Sequence, residues 1–183
     1  MKNRMFISYI IFIGLLLISR PDSYTLFFIG VFFTILGLSI RMISSGTILK
    51  NKKLATNGIY SVVRNPLYLG TFTSIFGILI QLSSLSEDKI LNTLSVWIIS
   101  LIGFGFIYYR TIKNEEEYLK KVYADDFIKY MKETPSIIPA ISRLSEVIKK
   151  EYYSKEAFKK NKEYRGIVGF LILEIIILLK IRY

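Results

Sequence analysis

Apolar residues in this chain fall into long blocks rather than short alternating runs. Four stand out, at residues 5–19, 24–43, 67–85 and 90–109. Each approaches the roughly 20 apolar residues a helix needs to cross a bilayer. The first is the shortest and would borrow its flanks. The joins are brief: Arg20, Pro21 and Asp22 between the first pair, Ser86, Glu87 and Asp88 between the second. Such joins predict two antiparallel helical hairpins. A fifth apolar run, residues 166–179, is interrupted by Glu174. It reads as a tilted span, a re-entrant helix or an interfacial helix, and an acid at that depth is usually turned toward protein or water. The expected fold is all-α: a multi-pass membrane protein with four to five transmembrane helices and a cytoplasmic amphipathic helical region.

Charge orients these blocks. Lys2 and Arg4, then Arg41, Lys50, Lys52, Lys53 and Arg64, then Arg110 and Lys113 with the lysines after them fall on one side. The opposite turns carry Arg20 and Lys89. The positive-inside rule puts the amino end, residues 41–66 and residues 110–165 in the cytoplasm. The amino end has the charge-then-apolar order of a signal peptide, but Arg20, Pro21 and Asp22 follow in place of a small-residue cleavage site, so a retained anchor is expected. The expected setting is a prokaryotic plasma membrane.

Composition sharpens the class. The 183 residues are 52% hydrophobic, with a formal net charge of +11 and a mean hydropathy of +0.41. In so apolar a chain the charge points to anionic lipid headgroups rather than nucleic acid. There is no cysteine and no histidine. That removes thiolate chemistry, the commonest general base and the commonest transition-metal ligands; no metal site is expected. Residues 1–139 are read as the core, and 140–183 as a basic tract plus an apolar helix.

Two cytoplasmic stretches are left to carry chemistry. In the first, Asn57-Gly58 signals a turn, and Pro66 pushes Asn65 out of helical conformation and starts the third block's helix. Tyr60 and Tyr68 suit an interface or a flat ligand, and Arg64 offers a bidentate fork to carboxylate or phosphate. On these grounds alone the stretch is most simply a membrane entry site, with a snorkelling arginine and belt tyrosines. In the second, Leu119, Val122, Tyr123, Phe127, Tyr130 and Met131 recur at helical spacing, which predicts an amphipathic helix in the headgroup zone. Glu115, Glu116 and Glu117 are equally a solvated acidic first turn.

At these residues the chain resembles the integral-membrane methyltransferases, the isoprenylcysteine carboxyl methyltransferase and phospholipid methyltransferase family. One family signature is Gly-x-Tyr-x-x-x-Arg-His-Pro-x-Tyr-x-Gly, preceded by a Leu-Val-Thr-like stretch. Here residues 54–70 read LATNGIYSVVRNPLYLG, with Asn65 in place of the histidine. A second signature begins with a Glu-Glu pair and runs through an aromatic-Gly step to a proline. Here residues 115–139 read EEEYLKKVYADDFIKYMKETPSIIP, with Ala124 in place of the glycine and Phe127 in place of a tyrosine. The likeness covers roughly residues 24–139.

The resemblance implies S-adenosylmethionine as methyl donor and a lipophilic acceptor, either an isoprenylcysteine-like carboxylate or a lipid amine. It places Lys53, Leu54, Ala55 and Tyr60 along the donor site. Asn65, Pro66, Leu67 and Tyr68 wrap the donor, and Glu115 and Glu116 meet its polar end. Arg64 is offered to the donor carboxylate. Arg110 is offered to an acceptor carboxylate, one position from where the family's arginine aligns. Asn65 cannot act as a base. Two other readings stay open: an NADPH-dependent reductase of the sterol-reductase-like type, and a non-catalytic membrane protein.

Overall fold

A computed structural model describes residues 2–47, 54–149 and 152–182. Among them every regular element is helical. The α-helices are α1 (Lys2–Ile18), α2 (Tyr24–Thr47), the single turn α3 (Ile59–Val62), α4 (Pro66–Gln81), α5 (Ile90–Glu133), α6 (Lys155–Asn161) and α7 (Tyr164–Arg182). Short 3-10 segments cover Glu87–Lys89 and Ile141–Ile148. The apolar blocks thus become helices, with Pro66 opening α4 as expected. Two helical stretches, Tyr24–Thr47 and Glu87–Glu133, are long and apolar enough to cross a membrane.

The largest departure is α5. The fourth apolar block is only its first half. No glycine or proline occurs between residues 106 and 133, and the Glu- and Lys-rich sequence favours helix, so the run continues. It is broken at Ala124, whose φ of 39° and ψ of −117° lie in territory that suits glycine. The stripe expected from Leu119 to Met131 is therefore divided at a corner. Before it Val122 is exposed; after it Phe127 and Tyr130 are buried. A Cβ at such a φ is strained, so Ala124→Gly is expected to stabilise the protein by about 1 kcal/mol, read as a higher thermal midpoint in detergent.

The chain divides into two compact units. The first comprises residues 1–35, 74–111 and 169–183. Leu15, Phe27, Ile78, Leu82, Phe104 and Ile177 are in its core. Small residues bring helices together: a Cβ on Gly77 would stand 2.5 Å from the Gly30 carbonyl oxygen. Its outside is apolar too, with Phe28, Phe32, Leu101, Ile102 and Leu171 exposed. A surface of that kind suits lipid rather than water.

Glu174 is turned toward protein in this unit. The buried Gln81 amide donates to Glu174 Oε1 at 3.0 Å and to Thr34 Oγ1 at 3.2 Å. Gln81 Oε1 and Glu174 Oε2 are buried without a hydrogen-bond partner among the described residues. Glu174→Gln replaces the orphan Glu174 oxygen with an amide able to donate to Gln81 Oε1, whereas Glu174→Leu removes an acceptor from the Gln81 amide. The glutamine variant is expected to unfold at or above the wild-type temperature. The leucine variant should lose about 1 to 2 kcal/mol.

A polar cluster ties the turns of the first unit. Asp22 Oδ2 accepts from Ser84 and Ser86 hydroxyls at 2.8 Å and from Lys89 Nζ at 2.9 Å. Burial raises the Asp22 carboxyl, but these hydrogen bonds and the lysine charge outweigh it and hold it below its usual range. A depressed acid contributes stability above its unfolded value, near pH 4, and loses it as pH falls through the folded value. Asp22→Asn is expected to cost about 1 kcal/mol at pH 7. Unfolding curves at pH 7 and pH 3 should show the gap between variant and wild type closing in acid.

The second unit comprises residues 36–73 and 112–168. Tyr60, Val62, Val63, Phe127 and Tyr130 are buried in it. Residues 62–65 run beside 135–140: Arg64 N donates to Pro135 O at 2.8 Å, Asn65 N to Ser136 O at 3.1 Å, and Ala140 N to Val62 O at 2.9 Å. Ser154 N donates to Gly46 O at 2.9 Å, and the Tyr153 ring covers Gly46 so closely that a Cβ there would collide with it.

Candidate functional site

The site grows from the start of α4. Proline at its first position lacks only an N–H that would go unbonded anyway. The Asn65 carbonyl accepts from Tyr68 N and Leu69 N, both at 3.0 Å. This fixes Arg64 and Asn65 just before the helix and Tyr68 on its first turn. Gly58 makes the preceding turn with φ 58° and ψ −131°, in the region the Asn57-Gly58 pair signalled.

The two signature stretches meet at Glu116. Its Oε1 accepts from Arg64 Nε at 3.2 Å, Arg64 Nη2 at 3.1 Å, Asn65 Nδ2 at 2.9 Å and Ser136 Oγ at 3.0 Å. Arg64 Nη1 donates to Met131 O at 2.9 Å and Thr134 O at 2.5 Å. The arginine is thus turned inward, with its side chain 10% exposed. It positions the 131–136 segment instead of presenting its fork to a ligand. Asn65, in the histidine position, does the same through its amide, which also reaches Ser136 Oγ at 3.0 Å. Glu115, one residue away on α5, is exposed and accepts from the Tyr68 hydroxyl at 2.6 Å.

Tyr60 is buried rather than presenting a face for stacking. Its carbonyl accepts from the Tyr130 hydroxyl. Its own hydroxyl is buried without a hydrogen-bond partner among the described residues. Glu115, Glu163 and Arg41 all act on it electrostatically. Burial pushes the Tyr60 and Tyr130 hydroxyls well above their ordinary range. Both therefore stay protonated at neutral pH, as hydrogen-bond donors rather than bases. Arg41, from α2, donates to Glu163 Oε1 at 2.5 Å, to Leu67 O at 3.2 Å and to the Thr71 hydroxyl.

A cleft of about 750 Å³ opens in this unit. Leu54, Asn57, Ser61, Asp126, Glu133 and Arg143 are among the residues that line it. Of the expected donor-site residues, Leu54 lines this cleft. Asn65 and Glu116 join in the clamp, Tyr68 and Glu115 pair, and Pro66 and Leu67 begin α4. Ala55 is half-buried. Lys53 lies outside the described residues. Arg110 belongs to the first unit, where its guanidinium lies 5.4 Å over the Phe106 ring. Ser136 was not singled out in the sequence, and Arg41 was read there only as one of the orienting charges. Only Ser136 had a signal, its place between two prolines of the second signature.

These features define a helical protein with a polar site, rich in arginine and carboxylate, carried on helices of membrane-spanning length. Residues 23–126 match the phospholipid methyltransferase family model. A protein-S-isoprenylcysteine O-methyltransferase of Schizosaccharomyces pombe is 36% identical over 92 residues, covering 50% of this chain and 35% of that protein. The cobalt-zinc-cadmium resistance protein CzcN of Cupriavidus metallidurans is 30% identical over 93 residues, covering 51% and 38%. A protein-S-isoprenylcysteine O-methyltransferase of Dictyostelium discoideum is 29% identical over 135 residues, covering 65% and 52%. The matched regions thus span between about a third and a half of these relatives. No solved structure matches. The chain belongs to the phospholipid methyltransferase family.

Proposed function

We propose that the protein is an integral-membrane methyltransferase that moves a methyl group from S-adenosylmethionine to a lipophilic acceptor. The observation that carries this reading is the joining of the two signature stretches: Arg64, Asn65 and Ser136 converge on Glu116, beside the Tyr68–Glu115 pair. In this reading α1, α2, α4, the first part of α5 and α7 would supply four to five spans, with residues 41–66 and 110–165 facing the cytoplasm.

The residues present fit such a donor. The buried Tyr60 hydroxyl lacks a partner among the described residues, and the exposed Glu115 carboxylate beside Tyr68 can accept from an ammonium or from sugar hydroxyls. Leu54, Ala55, Tyr60, Tyr68 and Glu115 would hold it, and Asn65, Pro66, Leu67 and Glu116 would shape the wall around it. When bound, this cofactor supplies a methyl group already activated on a sulfonium, so positioning accounts for much of the rate. The chain supplies hydrogen bonds, orientation and exclusion of water, and its buried tyrosines hold their protons. An acceptor carboxylate is ionised at neutral pH and needs no base; Arg110 is the proposed partner for it. An acceptor amine needs to arrive neutral, which a desolvated site favours.

Membranes containing the protein, incubated with methyl-labelled donor and extracted, test this reading. Label is expected in the lipid or lipidated-protein fraction, base-labile for an ester and base-stable for an amine. Label in neither fraction, from protein that binds donor, would contradict the lipophilic acceptor.

A further inference from the structure

We infer that Glu174 and Gln81 form a proton-binding site in the first unit: Glu174 holds a proton on Oε2 and donates it to Gln81 Oε1. Three helices meet at this point, with Thr34 from α2, Gln81 at the end of α4 and Glu174 from α7. Gln81 and Thr34 are 0% and 2% exposed. Counting hydrogens shows what the cluster needs. Both hydrogens of the Gln81 amide are spent, one on Glu174 Oε1 at 3.0 Å and one on Thr34 Oγ1 at 3.2 Å. The Thr34 hydroxyl donates to Gly30 O at 3.1 Å, and the Ser74 hydroxyl to Thr34 O at 3.4 Å. Two buried acceptors are left over, Gln81 Oε1 and Glu174 Oε2, with no partner among the described residues. Unmet, each carries the full cost of its lost hydration. Both belong to groups already joined through Gln81 Nε2 and Glu174 Oε1. A single proton on Glu174 Oε2 turns one acceptor into a donor and closes the acid–amide pair with a second hydrogen bond.

Charge leads to the same place. Residues 5–19, 24–40, 66–81 and 90–109 contain no Lys, Arg, Asp or Glu, and Glu174 is the one charged residue type between 166 and 179. The groups that bond its carboxyl are Gln81 and Thr34, and neither titrates. Lys180, the nearest cation along α7, is turned instead to the carbonyl oxygens of Leu16 and Leu17 at the end of α1. A carboxylate without a counter-charge is costly in an apolar bundle, whereas the protonated acid is neutral. A calcium or magnesium ion would take about six or more oxygen ligands, and two oxygens are open here among the described residues. Holding a proton, Glu174 lets residues 166–179 lie in lipid as a span. The site is independent of methyl transfer.

Infrared spectra of the full chain in lipid at neutral pH test the site, with Glu174→Gln as the isosteric reference and circular dichroism reporting that each variant is folded. The wild type is expected to show the carbonyl stretch of a protonated carboxyl, and Glu174→Gln to lose it. Gln81→Leu should move that band to higher frequency, because the acid loses its hydrogen-bond partner; Gln81→Met stands in if the leucine variant does not fold. Replacing choline chloride by sodium chloride should shift the thermal midpoints of wild type and Glu174→Gln alike. Three results would overturn the proton site: loss of ionised-carboxylate bands in Glu174→Gln, a protonated band that the Gln81 variant leaves in place, or a sodium-dependent rise in midpoint confined to the wild type.

Discussion

Glu116→Ala is expected to destabilise the protein by about 3 kcal/mol and to abolish donor binding, whereas Glu115→Ala should leave stability within about 0.5 kcal/mol and still lose donor binding. The two glutamates are adjacent and chemically identical, so the contrast lies in their surroundings. Glu116 Oε1 takes four hydrogen bonds from Arg64, Asn65 and Ser136. Its removal leaves a guanidinium that is 10% exposed without a counter-charge, and it takes away the acceptor that Arg64, Asn65 and Ser136 share. Ser136→Ala removes one donor of the four and should cost about 1 kcal/mol. Glu115 is exposed, and its loss opens no buried charge. Thermal unfolding in detergent together with binding isotherms reads both axes. A Glu115 variant as unstable as the Glu116 variant would contradict this division of labour.

The second large effect concerns helix approach in the first unit. A Cβ on Gly77 would stand 2.5 Å from Gly30 O and 2.7 Å from both Thr34 N and Thr34 Oγ1. Backbone atoms cannot swing aside as a side-chain tip can. Gly77→Ala is therefore expected to lose about 2 to 3 kcal/mol, despite alanine's advantage of about 1 kcal/mol within a helix. Gly105 supplies the control, since a Cβ there meets nothing within 4 Å. Gly105→Ala should stabilise by up to about 1 kcal/mol. Opposite signs from one chemical change in one unit would show that contact between helices, and not helix propensity, decides the outcome at Gly77.

Much of this arrangement was legible in the sequence, for reasons that are local. The apolar blocks declare helices by length, Pro66 opens α4 because its missing N–H costs nothing there, and Gly58 turns where Asn57-Gly58 signalled. Ala124 is a subtler case. The family pattern has glycine at this step, and the backbone here keeps a glycine-like φ of 39° with alanine in place. What stayed hidden depends on partners far along the chain. Arg64 reads as a fork aimed at a ligand until Met131 O, Thr134 O and Glu116 are seen to occupy it. Tyr60 reads as an exposed aromatic until its burial leaves only the hydroxyl to act. Gln81 carries no signal until it faces Glu174 across 93 residues of sequence.

The central claim, a methyl donor bound by the second unit, is tested most directly by titrating the purified full chain in detergent with S-adenosylhomocysteine and, separately, with NADPH. The expected result is saturable micromolar binding of S-adenosylhomocysteine, abolished by Glu115→Ala, with no binding of NADPH. Saturable binding of NADPH with none of S-adenosylhomocysteine would contradict the claim and favour a reductase on the same helices.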